Sequence, residues 1–421
     1  MPMNIAVVAA FDTKGAEARF VDGIIRARGH RTLKIDVGVL ADPSMPVDIS
    51  ASDLAHAGGG DLHTLRSAGD KAEAMEVMTR GAAVVAAKLY GEGRFDAIIG
   101  LGGTAGTAIA SSAMRALPIG VPKVLVSTVA AGDTRPYVGT KDLTLMYSIV
   151  DIAGLNRIST RVLANAAGAV IGMVETTLPA YEERPLIAAS MFGNTTACVD
   201  RARGILDAAG FEVLVFHATG AGGMTMESLI ADGYVDGVLD LTTTEWADEL
   251  CGGVFSAGTK RLDAAALAGI PQVVAPGCLD MVNFWAPETV PARYAGRKLF
   301  RWNPNVTLMR TDVDENRRLG RILAEKVNKS IGPVRVLLPL RGVSQLDSPG
   351  GEFWWPEADQ ALFQSMRQSL RDDIPLIELD ANINDPQFAE RAADELLDMM
   401  EKAKVNGRGR PSGNVQQGEM R

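Results

Sequence analysis

The chain has 421 residues, 47% hydrophobic and 22% charged, which is long enough for two domains with cores of their own and ordinary for a globular protein. A net charge of −9 argues against a nucleic-acid-binding surface. Three scattered cysteines, Cys198, Cys251 and Cys278, give neither a disulfide framework nor a CxxC metal site. With Asp12 and Lys14 too early for a signal peptide and no long apolar run, the expectation is a cytoplasmic protein with no membrane span.

In chain order, short apolar, β-branched runs predict strands at 5–10, 33–37, 97–101, 123–128, 186–191, 212–217, 235–241, 272–275, 306–310, 334–339 and 376–379. Amphipathic stretches between them predict helices, among them 16–27, 70–89, 198–209, 313–327, 357–371 and 385–402. Apolar strands alternating with helices read as an α/β protein with mainly parallel sheets covered on both faces.

The pattern repeats. Phe11 and Gly29 stand 18 residues apart, as do Phe192 and Gly210. The run from Asp96 to Thr104 echoes Asp236 to Thr244, and Pro122–Ser127 echoes Pro271–Pro276. Three collinear matches point to an internal duplication of a Rossmann-like subdomain. The boundary is expected at 176–185, giving 1–180 as a nucleotide-binding half and 181–402 as a second half with a substrate site. A polar, Gly-rich tail over 403–421 is expected to be disordered.

Open parallel sheets bind ligands at the carboxyl ends of their strands, so the residues that follow each strand are the candidates. In the first half these are Thr13 and Lys14, the glycine-rich turn Gly102, Gly103, Thr104, Gly106 and Thr107, and Ser127 with Thr128. Glycines bring backbone N–H groups close to a phosphate, and a helix N-terminus favours negative charge. Asp12 and Asp36 supply hard oxygen ligands for Mg2+. Capping explains any one of these residues alone; their convergence points to an anion or nucleotide site. In the second half His217 ends a strand before a glycine-rich loop, with Glu227 and Glu245 expected in reach as acid–base partners. Arg310, Arg341 and Asp280 follow strands as candidate substrate contacts. Cys278 has no evident base, His56 and His63 flank a glycine loop that reads as flexible, and Phe353-Trp354-Trp355 reads as packing.

Taken in order, DTKG, GLGGTAGT, VSTVAAGD, LNRISTRVLANAAGAVIGM, FHATGAGG, LDLTTTE, NPNVTLMRT and PLRGVSQLD resemble a bacterial and plant family, related to the ATP-binding N-terminal domain of the tomato mosaic virus resistance protein. The resemblance spans about residues 4–402. It implies two Rossmann-like subdomains, a homodimer, ATP with Mg2+ in the first half, and a separate barrel protein resembling phosphoenolpyruvate hydrolases as a partner. This chain departs from the family pattern at Ala10-Phe11, Thr104 and Ala105, and has Trp302 where the family has histidine. The resulting expectation is an ATP-binding protein of small-molecule metabolism, with ATP–Mg in the first half and a carbonyl or carboxylate substrate in the second. Two alternatives stand beside it: a non-catalytic, ATP-stabilised dimer that binds a protein, and a metal-dependent hydrolase or lyase using His217.

Overall fold

The computed structural model describes residues 1–181 and 183–405. The chain divides into two compact units, Met1–Ala180 and Tyr181–Arg421. The expected tail lies outside the described residues beyond 405; residues 403–405 instead end the helix Pro386–Val405.

The first unit holds one sheet of five parallel strands, β1 (Asn4–Ala9), β2 (Arg31–Asp36), β3 (Ala97–Gly102), β4 (Lys123–Ser127) and β5 (Thr144–Tyr147), in the order β2-β1-β3-β4-β5. The two-residue period of β1 sorts its side chains. Ile5, Val7 and Ala9 pack on one face against Val21 and Ile25 of the helix Gly15–Ala27 and Leu163 of the helix Ser159–Glu175. Ala6 and Val8 pack on the other, against Met78 of the helix Lys71–Gly91 and Ile109 of the helix Thr104–Arg115. Full burial of each such large apolar side chain contributes about 1.5–3 kcal/mol, which is why an uninterrupted apolar run becomes a central strand.

The glycine loop between His56 and His63 is not the flexible loop expected. His56 lies in the helix Ala51–Ala57 and His63 in the helix Leu62–Ala68, whose start Asp61 caps through Thr64 N. A Cβ on Gly58 would lie 2.1 Å from Val77 O, and one on Gly81 1.9 Å from Leu54 O. These glycines let two helices touch backbone to backbone.

The second unit carries six parallel strands: β6 (Leu186–Met191), β7 (Glu212–His217), β8 (Gly237–Thr242), β9 (Gln272–Gly277), β13 (Val334–Pro339) and β14 (Leu376–Leu379). A separate antiparallel sheet is formed by β10 (Met281–Phe284), β11 (Leu299–Asn303) and β12 (Val306–Arg310). Read from β7, the large sheet runs β7-β6-β8-β9-β13-β14, so its first five positions repeat the order of the first unit.

The repeat extends to single hydrogen bonds. Asn4 N donates to Asp96 Oδ2 at 2.7 Å, and Leu186 N donates to Asp236 Oδ2 at 2.8 Å. Ile98 N donates to Pro122 O and Val238 N to Pro271 O, both at 2.9 Å. Gly29 and Gly210 both turn the chain at positive φ, 96° and 90°. The echo in the sequence is thus an echo in geometry.

Candidate functional site

In the first unit the strand order reverses between β1 and β3, and the helices that follow these two strands pack on opposite faces of the sheet. Doubly wound sheets open a ligand crevice at such a point. Both helix N-termini lack a side-chain cap: Lys14 begins one and Gly103 the other. First-turn N–H groups have no intrahelical acceptor, so two positive dipole ends open into the crevice. Gly102 lets β3 pass beneath its helix, because a Cβ there would lie 2.5 Å from Thr107 N. At Gly103 the nearest atom to an added Cβ is Thr128 Oγ1 at 3.9 Å, which leaves room above the turn.

The expected contacts divide into two sets. Thr13 and Thr104 are exposed, and Lys14, Gly106 and Thr128 are half-buried. Among the described residues the Lys14 ammonium has no ion pair. Thr107 and Ser127 are buried and hydrogen-bond to each other at 2.7 Å; Ser127 Oγ also accepts from Val129 N. These two hydroxyls hold the turn against β4 instead of facing the crevice.

The two aspartates also differ. Asp36 Oδ1 accepts from Phe11 N and Gly38 N, both at 2.9 Å, and burial raises its pKa against the pull of those N–H groups. It is a loop anchor. Asp12 Oδ2 accepts from Leu40 N and Ala41 N, whereas its buried Oδ1 has no partner. Gly38 makes room for this carboxylate, since a Cβ there would meet Asp12 Cγ at 2.6 Å. Phe11, one of the departures from the family pattern, is fully buried and its carbonyl accepts from Ser44 N and Oγ.

In the second unit the expected acid–base set is not assembled. His217 is exposed at the end of β7, its ring 5.5 Å from that of Phe192. Among the described residues no hydrogen bond or ion pair joins it to Glu227 or Glu245. Both glutamates instead hold Arg261, which is 1% exposed. Glu245 Oε2 accepts from Arg261 Nε at 2.6 Å, and its Oε1 accepts from Gly220 N, at the end of the loop after β7, and from Gly223 N, in the first turn of the helix Ala221–Ala231. Glu227 accepts from Leu262 N and Ala264 N, both at 2.7 Å. Asp240, inside β8, completes the cluster with two further bonds from the guanidinium. Burial raises the pKa of Glu227 and Glu245, and Arg261 opposes that rise. Sequence reasoning missed Arg261. The signal was Asp240 in an otherwise apolar strand, since a carboxylate there requires a buried cation.

Arg310 and Asp280, expected at a substrate site, are enclosed. Arg310 ends a strand of the antiparallel sheet, which removes the carboxyl-end argument for it. It is 1% exposed and donates to Phe353 O at 2.7 Å and Asp359 Oδ1 at 2.6 Å. Asp280 is fully buried; Oδ2 accepts from Ser344 Oγ and Oδ1 has no partner. Burial beside Asp347 pushes Asp280 up to about 7, and burial with Asp347 close by pushes Asp359 up to about 8. Cys278 is buried with φ 57° and its thiol is pushed well up by burial, consistent with a structural thiol. Arg341 alone of the three expected contacts is exposed. It lies on a cavity of about 680 Å3 at the carboxyl ends of β6, β13 and β14. Among the described residues no group of three or more His, Cys, Asp or Glu side chains is arranged to hold a metal ion, and no helix is long and apolar enough to cross a membrane.

These features define a two-unit α/β protein of Rossmann-like layout with a crevice built around helix N-termini. The chain belongs to the family described as uncharacterised protein family UPF0261: residues 3–179 match its N-terminal domain and residues 184–400 its C-terminal domain. It is 49% identical to a UPF0261 protein of Clostridium tetani, over 96% of this chain and 100% of that one. It is 38% identical to the ToMV resistance protein Tm-1(GCR237) of Solanum lycopersicum, over 95% of this chain but 56% of that one. Among solved structures it is similar to MurG of Acinetobacter baumannii at 12% identity, over 94% of this chain and 100% of that one, but a TM-score of 0.23 carries no argument.

Proposed function

We propose that the first unit binds ATP with Mg2+ at the β1/β3 crevice, and that the second unit holds a small carbonyl or carboxylate substrate. The observation that carries the nucleotide reading is the pair of helix N-termini, beginning at Lys14 and Gly103, that open without side-chain caps where the strand order reverses. Backbone N–H groups of the Gly103–Gly106 turn receive phosphate oxygens, Lys14 neutralises charge, and Thr13, Thr104 and Thr128 donate hydroxyls. Mg2+ fits this setting through the unpartnered Asp12 Oδ1, directly or through water. A nucleotide-bound Mg2+ needs only one or two protein carboxylates, the rest of its shell being phosphate and water. Bound there, the ion would screen phosphate charge. Asp36 supports the loop behind it.

The test is the thermal midpoint of the full chain with and without ATP–Mg. Saturation near 100 times Kd is worth about 2.7 kcal/mol. Lys14→Ala is expected to abolish the shift, and His217→Ala to leave it intact. Full stabilisation of the Lys14→Ala protein by ATP–Mg would remove the assignment.

A further inference from the structure

The cavity beside Arg341 is bounded by the loops that follow β6, β13 and β14, and amides lock those loops together. Asn384 Nδ2 donates to Asn194 O at 2.9 Å, Gln345 N donates to the same carbonyl at 3.0 Å, and Asn382 Nδ2 donates to Arg341 O at 3.2 Å. The walls are therefore set before any ligand arrives. The helix Thr196–Ala208 begins on the cavity with no side-chain cap from Thr195, although Asn384 Oδ1 accepts from Cys198 N at 3.4 Å. Arg341 is exposed on the rim, and among the described residues its guanidinium has no ion pair. The same wall holds an unmet acceptor: Asn194 is 1% exposed and its Oδ1 has no donor.

We infer that this cavity binds a small hydroxylated monocarboxylic acid, its carboxylate on the Arg341 fork and its hydroxyls on Gln345, Ser348 and Thr196. Charge selects the monoanion. Arg341 is offset by Asp385 on the same cavity, so the site lacks the excess positive charge that a di- or triphosphate demands. A fork of N–H donors matches a carboxylate in two parallel bonds, and a volume of about 680 Å3 with polar walls admits a chain of four to six hydroxylated carbons. The inference rests on the reading that the second unit holds the substrate, and moves that site from His217 to the loops that follow β6, β13 and β14.

The full chain is titrated calorimetrically with threonate, ribonate and gluconate, with inorganic phosphate, and with ATP–Mg. At least one aldonate is expected to bind. Arg341→Ala is expected to weaken it at least about tenfold, the size of a lost charge-assisted bond, with Arg341→Lys in between. Responses to ATP–Mg stay unchanged in both variants, because Lys14 lies in the other unit. Binding of no aldonate, wild-type aldonate affinity in Arg341→Ala, or loss of phosphate binding alone in that variant would each overturn the inference. Aldonate binding without any ATP response would leave it standing and remove the nucleotide reading instead.

Discussion

Arg261 shows how one side chain decides the fate of three others. Glu227, Asp240 and Glu245 come from a helix, a strand and the start of another helix, and all face one guanidinium in the interior. Truncating the cation leaves three carboxylates buried without it. Loss of one partner from a buried pair costs about 3–5 kcal/mol, so Arg261→Met is expected to lower the urea midpoint by at least that equivalent, with a rescue when Glu245→Gln is added. The cluster of Asp280, Asp347 and Asp359 around Arg310 sets a pH dependence of the opposite kind from a surface salt bridge. The folded-state pKa values of Asp280 and Asp359 are raised, to about 7 and about 8, above the ordinary 3.8. The unfolded state therefore releases these protons first. Their contribution to stability is fully present below about pH 4 and is lost as pH rises through 7 to 8. Unfolding free energy is expected to fall across that window, and Asp359→Asn to flatten the fall; an unchanged slope in the variant would refute this origin.

Glycines at the element scale separate packing from propensity. Gly223 lies in the helix Ala221–Ala231, and a Cβ there would sit 2.1 Å from Glu245 Oε2. Gly168 lies in the helix Ser159–Glu175 with nothing within 4 Å of its added Cβ. Gly223→Ala is expected to destabilise by about 1–3 kcal/mol, by pushing Glu245 off Arg261. Gly168→Ala is expected to stabilise by about 0.4–1 kcal/mol. Thermal unfolding of the two variants checks both signs. Elements differ in legibility for the same physical reason. Strands buried on both faces, such as β3 and β6, appear as near-continuous apolar runs, and their predicted ends fall within a residue or so of the observed ones. The edge strand β5 is only half-buried, and β11 is mostly exposed, so neither carries a period that separates it from a loop. β12 was readable as a strand, but nothing local showed that β10 and β11 would pair with it antiparallel. The glycine turn after β3 was legible because its chemistry is local. The ion cluster was not, because its members meet only through the fold.

At the scale of the whole molecule the repeated strand order has a consequence for stability and for binding. Each unit buries a core of its own: two clusters in the first, one on each face of its sheet, and four in the second, around its two sheets. The segment joining them, Thr176 to Arg184, is exposed wherever it is described, with Leu178 80% and Tyr181 68% exposed. A protease that prefers large apolar residues should therefore cut there before it reaches either core, whereas trypsin meets Arg184 followed by Pro185 and stalls. Leu178 is likewise followed by Pro179, so brief chymotrypsin treatment is expected to cut after Tyr181 and yield two stable fragments that meet there. Because the β1/β3 crevice uses residues of the first unit alone, the N-terminal fragment should keep the ATP–Mg response of the intact chain and the C-terminal fragment should show none. Loss of that response on nicking would mean that the nucleotide requires groups outside residues 1–180. The duplicated architecture would then act as one site instead of two.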